Sequence, residues 1–183
     1  MISLIPRGAV LLLLALVFCA AIWDWRYRRI PNWLTVSGVV AGLALNTFLN
    51  PVWPGLWFSL KGLLLAFGIY LVLHLLHAMG AGDVKLMAAV GSITGAADWF
   101  GIFVITAIAG GGLAIVASIV KRRLGKTLFN VGFIVSEMKN LRPAYLKNEE
   151  LDVKSNKALR MPHGVVIAAG AVIYLVVSTH FAG

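Results

Sequence analysis

Residues 8–23 read GAVLLLLALVFCAAIW, and residues 24–35 continue DWRYRRIPNWLT. An uncharged apolar run closed by an aspartate and then by Arg26, Arg28 and Arg29 reads as a membrane helix whose charged end is held at one surface. A cleaved signal peptide carries its positive charge ahead of the apolar run. Here only Arg7 precedes it and three arginines follow, so the segment reads as a retained helix. Working outward, further apolar segments lie at about 33–49, 55–78, 84–97, 99–120 and 163–181. With 8–23 they make six predicted transmembrane helices in one membrane domain spanning 1–183.

Composition agrees. Of 183 residues, 60% are apolar and 13% charged, against about 25% charged in an ordinary soluble domain. That excludes a soluble globular domain, a disordered chain and a disulfide scaffold. The single cysteine, Cys19, lies within the first apolar run, so neither an intrachain disulfide nor a cysteine-based zinc cluster is expected.

Lys and Arg number 16 against 7 Asp and Glu, a net charge of +9. On a soluble protein this would suggest nucleic acid. On a membrane protein it reports orientation. If the N-terminus is outside, the inside loops at about 24–32, 78–85 and 121–161 hold every basic residue except Arg7 and Lys61. The tryptophans form two expected belts, Trp23, Trp25 and Trp33 inside and Trp53, Trp57 and Trp99 outside. No nucleic-acid partner is expected, and membrane lipid is. Segment 121–161 stays open between a surface helix over Leu128–Met138 and a solvated linker near anionic lipid.

With so few acids the search for chemistry is nearly exhaustive. Glu137, Glu149, Glu150 and Asp152 lie in the long polar loop, and Asp98 is expected to cap a helix in an outside turn. Asp24 and Asp83 remain, separated by two predicted spans and so on the same side, near the inside boundary. Ionisable groups at such depth suggest function. Two carboxylates that meet can hold one proton between them: one takes a proton from water while the other polarises a peptide carbonyl. The structural alternatives are that Asp83 caps its helix and that Asp24 pairs with Arg28. Gly80 and Gly82, just before Asp83, permit close approach of another chain. The span after them is short, about 21 Å for some 14 residues, which points to a water-accessible notch at Asp83.

The stretch MGAGDVKLMAAVG at 79–91 resembles the Gly-x-Gly-Asp signature of the type IV prepilin peptidases. Residues 24–35 resemble that family's first aspartate motif, with Arg28, Pro31 and Asn32 in place. Met161–Ala168, MPHGVVIA, resembles the stretch that opens its last helix, with His163 where a tyrosine is usual. The resemblance implies an all-α integral membrane aspartic peptidase of the GxGD architecture in the bacterial cytoplasmic membrane. It would cut the leader from pilin precursors at the cytoplasmic face, with Asp24 and Asp83 catalytic. Members that also methylate the new N-terminus carry a four-cysteine zinc segment. This chain has no such cysteines, so it looks like the peptidase-only branch of tight-adherence (Flp) pili, with no cofactor, metal or methyltransferase activity expected.

Other motif residues have physical readings. Pro31 and Asn32 suit a sharp entry into the second span, with Asn32 as a cap, and Lys85 is expected to act on the charge of Asp83. Arg26, Arg28 and Arg29 hold the loop at the anionic leaflet, and would repel a basic leader. Gly38 with Gly42 and Gly91 with Gly95 are expected to serve close helix packing, and Gly110 to Gly112 either close packing or a bend that admits substrate. His74 and His77 sit one turn apart, too few ligands for a metal site. Two rivals remain: an intramembrane aspartyl protease of presenilin type, and a small proton-coupled transporter. Both aspartates at one surface disfavour the transporter, whose ions belong near the midplane.

Overall fold

Three prolines set where the first three helices begin. Pro6, Pro31 and Pro51 each hold an extended backbone one residue ahead of a helix, and each carbonyl accepts that helix's first hydrogen bond, from Val10, Thr35 and Gly55. In the computed structural model, which describes residues 5–76, 79–120 and 163–181, these helices are α1 (Arg7–Tyr27), α2 (Asn32–Leu49) and α3 (Val52–Leu75). They are followed by α4 (Ala81–Val120) and α5 (His163–Phe181). All five are long and apolar enough to cross a membrane. The outer faces carry large apolar side chains such as Leu11, Phe18, Val40, Phe48, Phe67 and Ile108, all exposed. Such a surface suits lipid and would be an aggregation liability in water. Over the described residues the protein is an all-helical membrane protein. The loop expected at 121–161 lies outside the described residues.

The first half of α4 is the centre of the bundle. From Asp83 to Gly95 every residue except Lys85 is buried, enclosed by α1, α2, α3 and α5. Small residues make this possible. Gly62 of α3 faces Gly91 so closely that a Cβ on either would overlap the other's carbonyl. Gly38 and Gly42 likewise let α2 lie against Leu16, Ala89 and Ser92, as their spacing predicts. Gly111 and Gly112 do not fit that expectation. No neighbouring atom lies within 4 Å of where their Cβ atoms would be.

Sequence reading separates the fourth and fifth spans at a turn around Asp98. The break is instead at Gly95, with φ 75° and ψ 175°, and helix resumes at once. The first half of α4 rises from the Asp24 end of α1 towards its Pro6 end, where Ile93, Thr94 and Asp98 approach Ile5 and Pro6. After Gly95 the chain descends along α5, with Gly101 against Tyr174, Thr106 against Gly170 and Gly110 against Val166. The two halves therefore run in opposite directions. Asp98 is not an exposed cap but is buried, accepting a hydrogen bond from the Tyr174 hydroxyl at 2.6 Å. Trp99 is not in the outer belt either. It is fully buried, stacked on Phe103 with ring centroids 5.4 Å apart and edge-on to Tyr70.

A break inside a buried helix leaves carbonyls without intrahelical partners, which is costly in an apolar medium. The side-chain amide of Asn46 on α2 meets that need. It donates to Ser92 O at 3.0 Å and Ile93 O at 3.1 Å, and contacts Ser59 Oγ at 2.9 Å. Sequence reading passes over Asn46, although an amide inside a span is a signal in itself. Replacing Asn46 by Ala is expected to cost about 2 kcal/mol by orphaning these carbonyls. Asp is expected to do no better, because a carboxylate has no N–H to give. Thermal unfolding of the three proteins in one detergent measures both effects.

Candidate active site

Asp24 sits one turn before the end of α1 and is 8% exposed. The helix closes with Arg28 in the left-handed region (φ 54°), its N–H on Asp24 O at 2.9 Å, and residues 29–31 swing the chain into α2. Arg28 thus meets Asp24 through its main-chain N–H. The Asp24 side chain points to an element distant in sequence. Its Oδ2 accepts the N–H of Gly164 at 2.8 Å, in the first turn of α5. Helix N-termini carry unpaired N–H groups and partial positive charge, so they favour a carboxylate. The contact is tight. A Cβ on Gly164 would lie 3.0 Å from Asp24 Cβ and 3.3 Å from Ala20 O.

Asp83 is the third residue of α4 and is also 8% exposed. Its Oδ2 accepts the Gly80 N–H at 3.2 Å, while its own N–H bonds Gly80 O at 3.1 Å. This is a reciprocal N-terminal cap, so the capping role and closeness to Asp24 hold together. Asp83 stands at the Asp24 end of the bundle, because Gly82 beside it packs on Ile30, three residues past the end of α1. The structure thus brings the two aspartates singled out in the sequence to one end of the bundle, and adds the start of α5 to them.

The two aspartate motifs interlock. Ile30, in the turn after α1, packs at the Gly82 backbone, where a Cβ would lie 3.3 Å away. Lys85 Nζ donates to Asn32 Oδ1 at 2.8 Å, across 53 residues. Two expectations change here. Asn32 does not cap α2, because Pro31 holds that position and no side chain caps the helix. The ammonium of Lys85, expected beside Asp83, is hydrogen-bonded to Asn32.

Remaining candidates fall elsewhere. His74 Nδ1 bonds Met79 O at 2.8 Å and steadies the approach to Gly80, while His77 lies outside the described residues. Among the described residues no three His, Cys, Asp or Glu are grouped as metal ligands. A cavity of about 340 Å³, lined in part by Asn46, Asn50, Phe58 and Asp98, opens at the other end of the bundle, away from the aspartates.

A sequence model of the type IV leader peptidase family matches residues 11–115, more than half of the chain and both aspartates. The chain belongs to the type IV leader peptidase family. Comparison with curated proteins and with solved structures returns no match. Membership makes the chain a membrane-embedded prepilin leader peptidase. Gly164 lies beyond the matched residues, so its place beside Asp24 rests on the contact just described. Replacing Gly164 by Ala is expected to push Asp24 aside by a few tenths of an ångström. Cleavage should fall about tenfold while KM holds, since misplaced catalytic groups cost rate. Steady-state kinetics on a leader-bearing precursor measures the split.

Proposed function

We propose that this peptidase is of the aspartic type and cuts the leader from Flp-type prepilins at the cytoplasmic face of the bacterial inner membrane. The observation that supports it most is that Asp24 and Asp83, both nearly buried, stand at one end of the bundle, where Ile30 packs on Gly82 and Lys85 bonds Asn32. With one proton between them, the ionised carboxylate takes a proton from a water as its oxygen attacks the scissile carbonyl carbon. The protonated carboxyl gives its proton to the carbonyl oxygen. The tetrahedral intermediate then collapses: the C–N bond breaks, a proton passes to the leaving amine, and a carboxyl end and an amine end separate. One proton is again held by the pair, ready for the next substrate.

On this reading α4 crosses the membrane twice, which makes six spans with the N-terminus outside, and the basic loops lie on the side of the aspartates. The exposed Ala81, beside the Gly80–Gly82 turn, marks where an extended precursor would reach the pair. Methyltransferase activity has no assigned residues here. The test is cleavage of a leader-bearing pilin precursor by the purified protein in detergent with no ion gradient. Product with an intact pilin sequence and a free leader is expected. Proton transport without cleavage would favour the transporter, and cuts within the pilin's apolar helix would favour the presenilin type.

A further inference from the structure

Each aspartate has its own anchor, Asp24 Oδ2 on the Gly164 N–H and Asp83 Oδ2 on the Gly80 N–H. Neither bond fixes one carboxylate relative to the other. Two contacts between the segments that carry them do bear on that distance. Ile30 packs on the backbone of Gly82, and the Lys85 ammonium donates to Asn32 Oδ1 at 2.8 Å. Packing keeps the segments from moving closer, and a hydrogen bond keeps them from parting. Both ends of that bond are firmly mounted. Lys85 lies two residues past Asp83 on the same helix, and it alone is exposed in the otherwise buried run from Asp83 to Gly95. Asn32 follows a turn with little freedom, in which Arg28 is left-handed at φ 54° and Pro31 is extended at φ −68° and ψ 142°. The Asn32 carbonyl in turn accepts the hydroxyl of Thr35, a buried residue, at 3.0 Å. A lysine at a membrane surface ordinarily gives its ammonium to water or lipid phosphate. This one reaches across 53 residues to a neutral amide oxygen.

We propose that Lys85 and Asn32 are a pair of positioning residues, whose hydrogen bond clamps the turn after α1 to the start of α4 and so sets the spacing of Asp24 and Asp83 for the reaction. This rests on the aspartic-peptidase reading above. Two carboxyls that share one proton and work on one water must keep a fixed separation. A displacement of about 1 Å costs on the order of a hundredfold in rate, so a smaller one costs about tenfold. Lys85 acts on the rate through Asn32, and its charge is not what the aspartates need. The bond is at the surface, so its loss barely moves stability. Substrate binding draws on the rest of the precursor, so KM holds while kcat falls.

The experiment is a double-mutant cycle read in kcat, KM and melting temperature, with a leader-bearing precursor as substrate and the full chain in one detergent. Lys85→Met keeps the stem and removes the donor, and Asn32→Leu keeps the shape and removes the acceptor. Each is expected to lower kcat about tenfold with KM and melting temperature unchanged. The double variant is expected to be no slower than either single one, because the bond is lost at the first removal. Lys85→Arg and Asn32→Asp keep a donor and an acceptor, and each is expected to hold kcat within about threefold of wild type. Losses that multiply to about a hundredfold in the double variant would overturn the proposal, since the two residues would then act separately. So would a slow Lys85→Met beside an Asn32→Leu of wild-type rate, which would assign the ammonium a direct role. Wild-type kcat in both singles, or a fall in kcat only in step with the melting temperature, would leave the bond without a part in positioning. Undiminished cleavage by Asp24→Asn is a separate outcome. It would overturn the aspartic reading itself.

Discussion

Asp24→Asn and Asp83→Asn are each expected to lower cleavage of a leader-bearing precursor by about a thousandfold, and Asp98→Asn is expected to cleave at the wild-type rate. Asparagine keeps an oxygen for the Gly164 N–H or the Gly80 N–H, so each variant retains the hydrogen bond that seats the side chain. It loses only the ability to take up and release a proton. The loss should therefore appear in kcat with little change in thermal stability. Asp98 is an exacting control, because it too is buried and hydrogen-bonded, at 2.6 Å from the Tyr174 hydroxyl. It lies with Tyr174 at the far end of the bundle, and its amide still accepts that hydroxyl. The double variant should be no worse than either single one, since groups that act as a unit lose their whole effect at the first removal. Full processing by either single aspartate variant would sink the dyad.

Gly95→Val is expected to destabilise the protein by about 3 kcal/mol or more. Two penalties combine. The backbone at φ 75° and ψ 175° is in a region nearly reserved for glycine. A Cβ there would also collide with the ring of Phe58. Adding Phe58→Ala relieves the collision and not the strain, so the double variant should recover only part of the loss. Thermal unfolding in detergent measures it. Stability of Gly95→Val equal to that of wild type would mean that the chain does not reverse at Gly95. The reversal matters for function because it sends the second half of α4 back along α5, whose first turn holds Asp24.

Much of the site is legible in the residues alone. Asp24 and Asp83 stand out because acids are scarce in this chain, and two spans between them put both at one end. Gly80 and Gly82 stand out by their place before Asp83, and the fold uses Gly82 to admit Ile30. Lys85 and Asn32 lie near the aspartates, yet their contacts are not those that sequence neighbours suggest. Local reasoning offers each a partner nearby in the chain, Asp83 for the lysine and the helix start for the asparagine. In the folded chain each is the other's partner across 53 residues. Asp98 and Trp99 mislead for a related reason. Polar and aromatic residues at the end of an apolar run look like a boundary, whereas here α5 and Tyr70 cover them.

Apolar runs, prolines and charges act through free energies that add up along the chain, so they show without a fold where helices lie and which acids stand at a membrane surface. Asn46 on the carbonyls of Ser92 and Ile93 and Gly164 on Asp24 depend on which helix faces meet. That is set by close packing of small residues such as Gly62 and Gly91, through short-range contacts between segments distant in sequence. Hydropathy does not contain such contacts. They exist only once the helices have packed.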